Sequence, residues 1–221
     1  MDATVRAFLT QIPIFEDFSD ADLEVVMHAA VKRQLPKGSF LFREDDPAEA
    51  MYLQMEGRTR SFTSDNQGKE FVFQIGEPGS VYGEISMIDD APRSWSVQVE
   101  EDSTFIMFSK QDFRTALETY PQLKDKLILN LARIIRQLSL TMKNLALLDV
   151  YGRVRALFEE IAQTQDDHWM IAEPLTQQAI ADRVGSSREM IARILKELVF
   201  GGYVKLENKR IIILQKLPER F

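Results

Sequence analysis

The chain has 221 residues, 45% of them hydrophobic and 28% charged, with a formal net charge of −7. This composition excludes a disordered, collagen-like or fibrous chain. The absence of cysteine excludes disulfides, thiolate zinc sites, cysteine-ligated iron–sulfur clusters and a cysteine nucleophile.

The longest stretch without a charged residue is nine residues, 7–15, far short of the ~20 apolar residues that span a bilayer, so no membrane partner is expected. Asp2 and Arg6 flank a short mixed segment with none of the features of a secretion signal, and a cytoplasmic location is expected. A helical lead-in is expected over residues 20–31. From residue 34 to 109 short alternating runs are punctuated by turn residues: Pro36, Gly38, Pro47, Gly57, Gly68, Gly76, Gly79, Gly83 and Pro92. Phe71, Phe73 and Ile75 alternate with Val72 and Gln74, and Val97 and Val99 with Ser96, Gln98 and Glu100. Many short strands at this spacing predict a β-barrel or jelly roll.

After Phe113 the period becomes helical, and residues 121–148 contain no glycine and no proline after Pro121. Such a helix would be about 42 Å long. Leu131, Leu138 and Leu145 recur every seven residues, with either Ile135 and Met142 or Ile134 and Thr141 completing an a/d seam. A rod this long outreaches a small barrel, so a symmetric homodimer with the two helices side by side is expected.

Asp149 is placed to cap a further helix carrying Val154, Leu157, Phe158 and Ile161 on one face. Residues 163–174 read as a polar connector, in which Asp166, Asp167 and Trp169 form a candidate contact surface. Thr176 then caps a short helix through Val184, Gly185 turns the chain, and Ser187 caps a helix with Ile191, Ile194, Leu195 and Leu198 inward. This is a helix-turn-helix outline. A hairpin of residues 203–206 and 210–214, turning at Glu207, Asn208 and Lys209, closes it as a wing.

Charge separates the two parts. Residues 1–150 hold 16 Lys+Arg against 24 Asp+Glu, while residues 182–216 hold eight basic and four acidic residues. A local basic footprint in an acidic protein suits a duplex-DNA partner. Arg188, Glu189 and Arg193 sit at the N-terminal end of the second helix, the end that enters a major groove, where guanine accepts from Arg and cytosine donates to a carboxylate. Ser187, Thr176 and Gln178 suit phosphate contacts. His28 and His168 are too few and too separated for a metal site, and no P-loop, nucleophile elbow or metal cluster points to an enzyme.

Three motifs carry a family resemblance. PLTQQAIADRVGSSREMIARILKEL resembles the helix-turn-helix of the cyclic AMP receptor protein and fumarate-nitrate regulator superfamily; YGEISMIDDAPRSWSV resembles its phosphate-binding cassette; KNLALLDVYGRV resembles its hinge. The resemblance implies an α+β chain with a cyclic-nucleotide-binding β-barrel (jelly roll) at 1–115, a dimerisation helix at 116–148 and a winged helix-turn-helix at 149–221. It implies an effector site of Gly83, Glu84, Ile85, Ser86, Arg93, Ser94, Trp95 and Ser139, in which Glu84 accepts from a ribose 2′-hydroxyl and Arg93 neutralises a cyclic phosphate. The effector implied is cyclic AMP or another nucleotide, with no cofactor required. Trp95 stands where a small residue is usual and either stacks on a base or fills the pocket, and Leu138 replaces half of the usual Thr-Ser base anchor, leaving Ser139. A constitutive regulator of the same fold is the alternative. TGTGA-like palindromic half-sites and RNA polymerase are the further partners implied. The oxygen-sensing branch requires cysteines that the chain lacks, and the haem-binding branch an axial His or Cys in the barrel.

Overall fold

The computed structural model describes residues 3–12, 15, 18–165, 168–207 and 210–219. It forms two compact units, one of residues 1–63 and 73–136, the other of residues 64–72 and 137–221.

The first unit opens with helices α1 (Ala3–Leu9) and α2 (Asp20–Ala29). Ser19 and Asp22 start α2 by a reciprocal capping box, which satisfies the free N–H groups of the first turn. The strands follow: β1 (Val31–Leu35), β2 (Phe40–Phe42), β3 (Ala50–Ser64), β4 (Glu70–Gly76), β5 (Val81–Tyr82) and β6 (Ser96–Ser109), with the short helix α3 (Glu84–Asp89) between β5 and β6. β1, β6, β3 and β4 lie side by side in that order, with β2 also on β6 and β5 on β3. The expected barrel is thus an open jelly-roll sandwich, with β1 and β4 at the ends of the strand order. Register shifts along β3 from Gln54 to Thr59 bend the long β3–β6 ribbon.

Two apolar clusters hold this unit. One gathers Leu9, Leu23, Leu53, Met87 and Ile106 with Leu123 and Leu127. The other, inside the sheet, gathers Phe42, Tyr52, Tyr82, Val97, Val99 and Phe105, with Trp95 packed against it. Helix α4 (Lys110–Thr119) is capped by Ser109, and α5 (Pro121–Leu147) begins on a proline, whose missing N–H costs nothing in a first turn. Leu123 and Leu127 anchor the start of α5, and its later apolar residues are largely exposed.

In the second unit α6 (Val150–Ile161) is capped by Asp149, whose carboxylate accepts from the Gly152 N–H at 2.7 Å. Val154 and Phe158 are fully buried, and Leu157 and Ile161 pack against the same core. Within residues 163–174, read as a connector, β7 (Gln163–Gln165) and β8 (His168–Ile171) instead pair as an antiparallel hairpin. The second strand of that hairpin pairs with β10 (Arg210–Ile213), itself paired with β9 (Val204–Glu207), giving a four-stranded sheet. The second partner of β8 lies some forty residues further on, and local alternation does not carry such pairing. Asp166 and Asp167, and the wing-turn residues Asn208 and Lys209, lie outside the described residues. Helices α7 (Gln177–Val184) and α8 (Arg188–Phe200) complete the unit.

Candidate functional site

The cassette is built around a backbone that only glycine adopts cheaply. Gly83 starts α3 at φ 85°, and a Cβ there would run into Nη1 of Arg93. The turn delivers Glu84 and Ser86 into the interior, where both are buried, with Ile85 half-buried. Ser86 Oγ donates to the Pro92 carbonyl at 3.1 Å, pinning the helix to the segment that carries Arg93.

Arg93 is also buried. Its Nη1 donates to the Gly83 carbonyl at 3.2 Å and its Nη2 to the Ala50 carbonyl at 2.5 Å, while the guanidinium lies 4.3 Å from the centre of the Phe42 ring. Arg93 Nε has no hydrogen-bond partner. Among the described residues no ion pair joins Glu84 to Arg93, so the carboxyl and the cation are held separately, each by partners of its own. Burial pushes the Glu84 carboxyl up to about 7, against the opposing pull of its own backbone N–H, of Arg93 and of Asn130. Burial likewise lowers the Arg93 guanidinium from its ordinary value. A buried cation with unspent N–H groups beside a buried carboxyl of raised pKa suits an anionic ligand that also carries a hydroxyl.

The other sequence-derived effector residues are less concentrated. Ser94 is exposed, and Trp95 is half-buried, edge-on to Phe73 at 5.1 Å. Ser139 is exposed on α5 and belongs to the other unit. Asn130 escaped the sequence reading: its Nδ2 donates to Glu84 Oε1 at 3.3 Å. A polar residue beside the heptad position of Leu131 was the one available signal.

In the second unit Thr176 accepts from the Ala179 N–H at 3.1 Å and Ser187 from the Met190 N–H at 3.3 Å, so both act as helix caps. Gly185 turns between α7 and α8 in the left-handed region at φ 65°. Ile191, Leu195 and Leu198 are buried and Ile194 half-buried, and this leaves Arg188, Glu189 and Arg193 exposed on the opposite face of α8. Thr176, Gln177, Gln178 and Arg188 line an open concavity of about 520 Å³. Gln178 donates to Asp182 at 2.7 Å. Arg153, also unforeseen, donates to the carbonyls of Val184 at 2.7 Å and Leu148 at 2.8 Å. Among the described residues no cluster of His, Cys, Asp and Glu could hold a metal ion, and no helix is long and apolar enough to cross a membrane.

Comparison with known proteins agrees with both halves. Residues 32–120 match the cyclic nucleotide-binding domain family, and residues 152–217 match the Crp-like helix-turn-helix domain family. The chain is 28% identical over 194 residues to a CRP-like cAMP-activated global transcriptional regulator of Mycobacterium tuberculosis, covering 84% of this chain and 87% of the relative. It is 27% identical over 195 residues to the cyclic AMP receptor protein of Thermus thermophilus, covering 88% of each. Among solved structures, that of the c-di-GMP-responsive global regulator CLP of Xanthomonas campestris superposes with a TM-score of 0.79 at 20% identity, over 89% of this chain and all of that one. A cyclic-nucleotide-binding domain followed by a helix-turn-helix defines an effector-controlled, DNA-binding transcription regulator. The chain belongs to the cyclic AMP receptor protein / fumarate-nitrate regulator (CRP/FNR) superfamily.

Proposed function

We propose that the protein is a homodimeric, sequence-specific regulator whose grip on operator DNA is set by a cyclic nucleotide, with cyclic AMP as the first candidate. The observation that carries this reading is the pair of buried, separately held groups of the cassette, Glu84 and Arg93. Arg93 would turn free N–H groups to the cyclic phosphate, Glu84 would accept from the ribose 2′-hydroxyl, and Gly83, Ile85, Ser86 and Ser94 would frame the phosphate. Relatives named as cAMP-activated support the choice of nucleotide.

Dimerisation rests on α5. Ile135 and Met142 are 63% and 68% exposed, whereas Ile134 and Thr141 are half-buried, so the outward seam is Ile128, Leu131, Ile135, Leu138, Met142 and Leu145. Ile at two of the three a positions with Leu at d favours a parallel two-stranded coil. Such a face exposed to water needs cover, and a second copy supplies it. Residues 1–115, 116–148 and 149–221 then divide the work into sensing, dimerisation and DNA reading, with Asp149 at the hinge.

Arg188, Glu189 and Arg193 would read base edges, with Thr176, Gln178 and Ser187 on phosphates. Two recognition helices would meet TGTGA-like half-sites one DNA turn apart, ~34 Å. RNA polymerase is the further partner of this reading. The protein works in the cytoplasm without catalysis or a required cofactor. Effector binding changes the packing of the paired α5 helices, and the hinge passes the change to the recognition helices.

A second reading, an effector-independent regulator, is favoured by one observation: Trp95 packs against the interior cluster and stacks edge-on with Phe73. Fluorescence anisotropy of a palindromic TGTGA duplex, titrated with protein with and without cyclic AMP, separates the two. A rise in affinity with cyclic AMP is expected; equal affinity supports the effector-independent form.

A further inference from the structure

Among the described residues two buried side-chain atoms have no hydrogen-bond partner: Ser61 Oγ and Arg93 Nε. Arg93 is accounted for by the anion it awaits. Ser61 is not, and it is fully buried. A buried hydroxyl without a partner destabilises a fold, because it has given up water and received nothing in return.

The surroundings sharpen the point. Thr59, two residues earlier on the same face of β3, is equally buried but fully engaged: its Oγ1 lies 2.6 Å from the Tyr82 hydroxyl and donates to Gln54 Oε1 at 3.1 Å. Ser61 continues that polar row, and the next residue on this face, Thr63, donates its Oγ1 to Glu44 at 2.7 Å, so Ser61 alone in the row lacks a partner. Its cross-strand partner on β6 is Val97, apolar and fully buried, which offers a trapped water little to bond. On the other side of Val97 lies Phe42 of β2, the ring over which the Arg93 guanidinium sits. Ser61 opposes Val97 directly and so shares its face, and Val97 and Phe42 belong to one buried cluster across the register shift between Phe40 and Phe42, so Ser61, Val97 and Phe42 form a row. Ser61 thus lies two strand spacings, ~10 Å, from the ring that carries the cation. That is the length scale separating a nucleotide's phosphate from the far edge of its base.

From this row we infer that Ser61 is a specificity-determining residue of the effector site, its hydroxyl reserved for a hydrogen bond to a heteroatom of the base of a ligand whose phosphate is held at Arg93. The inference rests on the nucleotide reading above and deepens it by placing base selection inside the sheet.

The test is calorimetric titration of the full chain with cyclic AMP, cyclic GMP and the cyclic phosphate of unsubstituted purine riboside, on wild type, Ser61→Ala and Ser61→Thr. A melting scan of each ligand-free protein accompanies it. Wild type is expected to prefer one base, and Ser61→Ala to lose about tenfold on that ligand alone, drawing the affinities together, while its ligand-free melting temperature rises. Ser61→Thr, which keeps the hydroxyl, is expected to keep the preference. An unchanged profile in Ser61→Ala, an equal loss on all three ligands, or a lower melting temperature would overturn the inference and leave the nucleotide reading standing. A wild type that binds none of the three removes the nucleotide reading and the inference with it.

Discussion

Asn130 on α5 donates a hydrogen bond to Glu84 of the cassette, 3.3 Å from Nδ2 to Oε1. It ties the carboxyl expected to meet the effector to the residue next to Leu131, a position of the proposed dimer seam. Removing this donor leaves Glu84 with one less group favouring its ionised form. Asn130→Ala is therefore expected to weaken cyclic AMP binding by roughly tenfold, the value of one hydrogen bond to a charged acceptor at about 1.5 kcal/mol. It is also expected to reduce the effect of cyclic AMP on DNA affinity. Calorimetric titration and anisotropy on the same variant check both.

Glu84 also sets a pH dependence. Its folded pKa, about 7, lies above the ordinary 4.5, so the folded chain holds an extra proton between these values. Stability from this group is fully present below pH 4.5 and is lost as pH rises through 7, by on the order of 3 kcal/mol. Glu84→Gln is expected to flatten that slope and to raise stability at pH 8, as urea denaturation from pH 5 to 8 would show. Effector binding has the opposite sense: a ribose hydroxyl donates to the carboxylate, so affinity should rise with pH up to about 7 and then level off.

The seam predicts a charge-sensitive dimer. Leu138→Arg places two guanidiniums in the middle of the paired helices, where no acid answers them. Sedimentation should show a monomer that keeps its helical content and has lost operator affinity by at least a hundredfold. A variant that stays dimeric would move the interface elsewhere.

Base reading by α8 predicts a selective loss. Arg188→Ala or Arg193→Ala should cost ~1–3 kcal/mol on the operator and relax preference at one base pair per half-site. Competition against duplexes with single base changes reads this directly. Uniform weakening on every duplex would reassign the residue to the phosphate backbone.

Much of this arrangement could be read from local chemistry. Asp149, Thr176 and Ser187 cap helices where a short polar residue precedes an apolar period, and Gly185 turns where only a left-handed residue fits. These features depend on neighbours a few residues away. What escaped depends on distant partners. β8 is held on one side by β10, some forty residues further on, and the bond from Asn130 to Glu84 spans 46 positions. The polar interior of Gln54, Thr59 and Tyr82 is closed by contacts within β3 and between β3 and β5, so local alternation carries no sign of it. The cassette motif implies Arg93 as an anion ligand, but its bonds to the carbonyls of Gly83 and Ala50 belong to backbone geometry that no motif encodes.

The central claim is that effector and operator act through one equilibrium. Linkage requires that, if cyclic AMP tightens operator binding by some factor, the operator tightens cyclic AMP binding by the same factor. The decisive measurement is calorimetric titration of cyclic AMP into the free protein and into its complex with a TGTGA-palindrome duplex. We expect tighter binding in the complex, by roughly five- to 150-fold, matching the gain in DNA affinity. The same dissociation constant in both titrations, or no binding in either, would contradict the account.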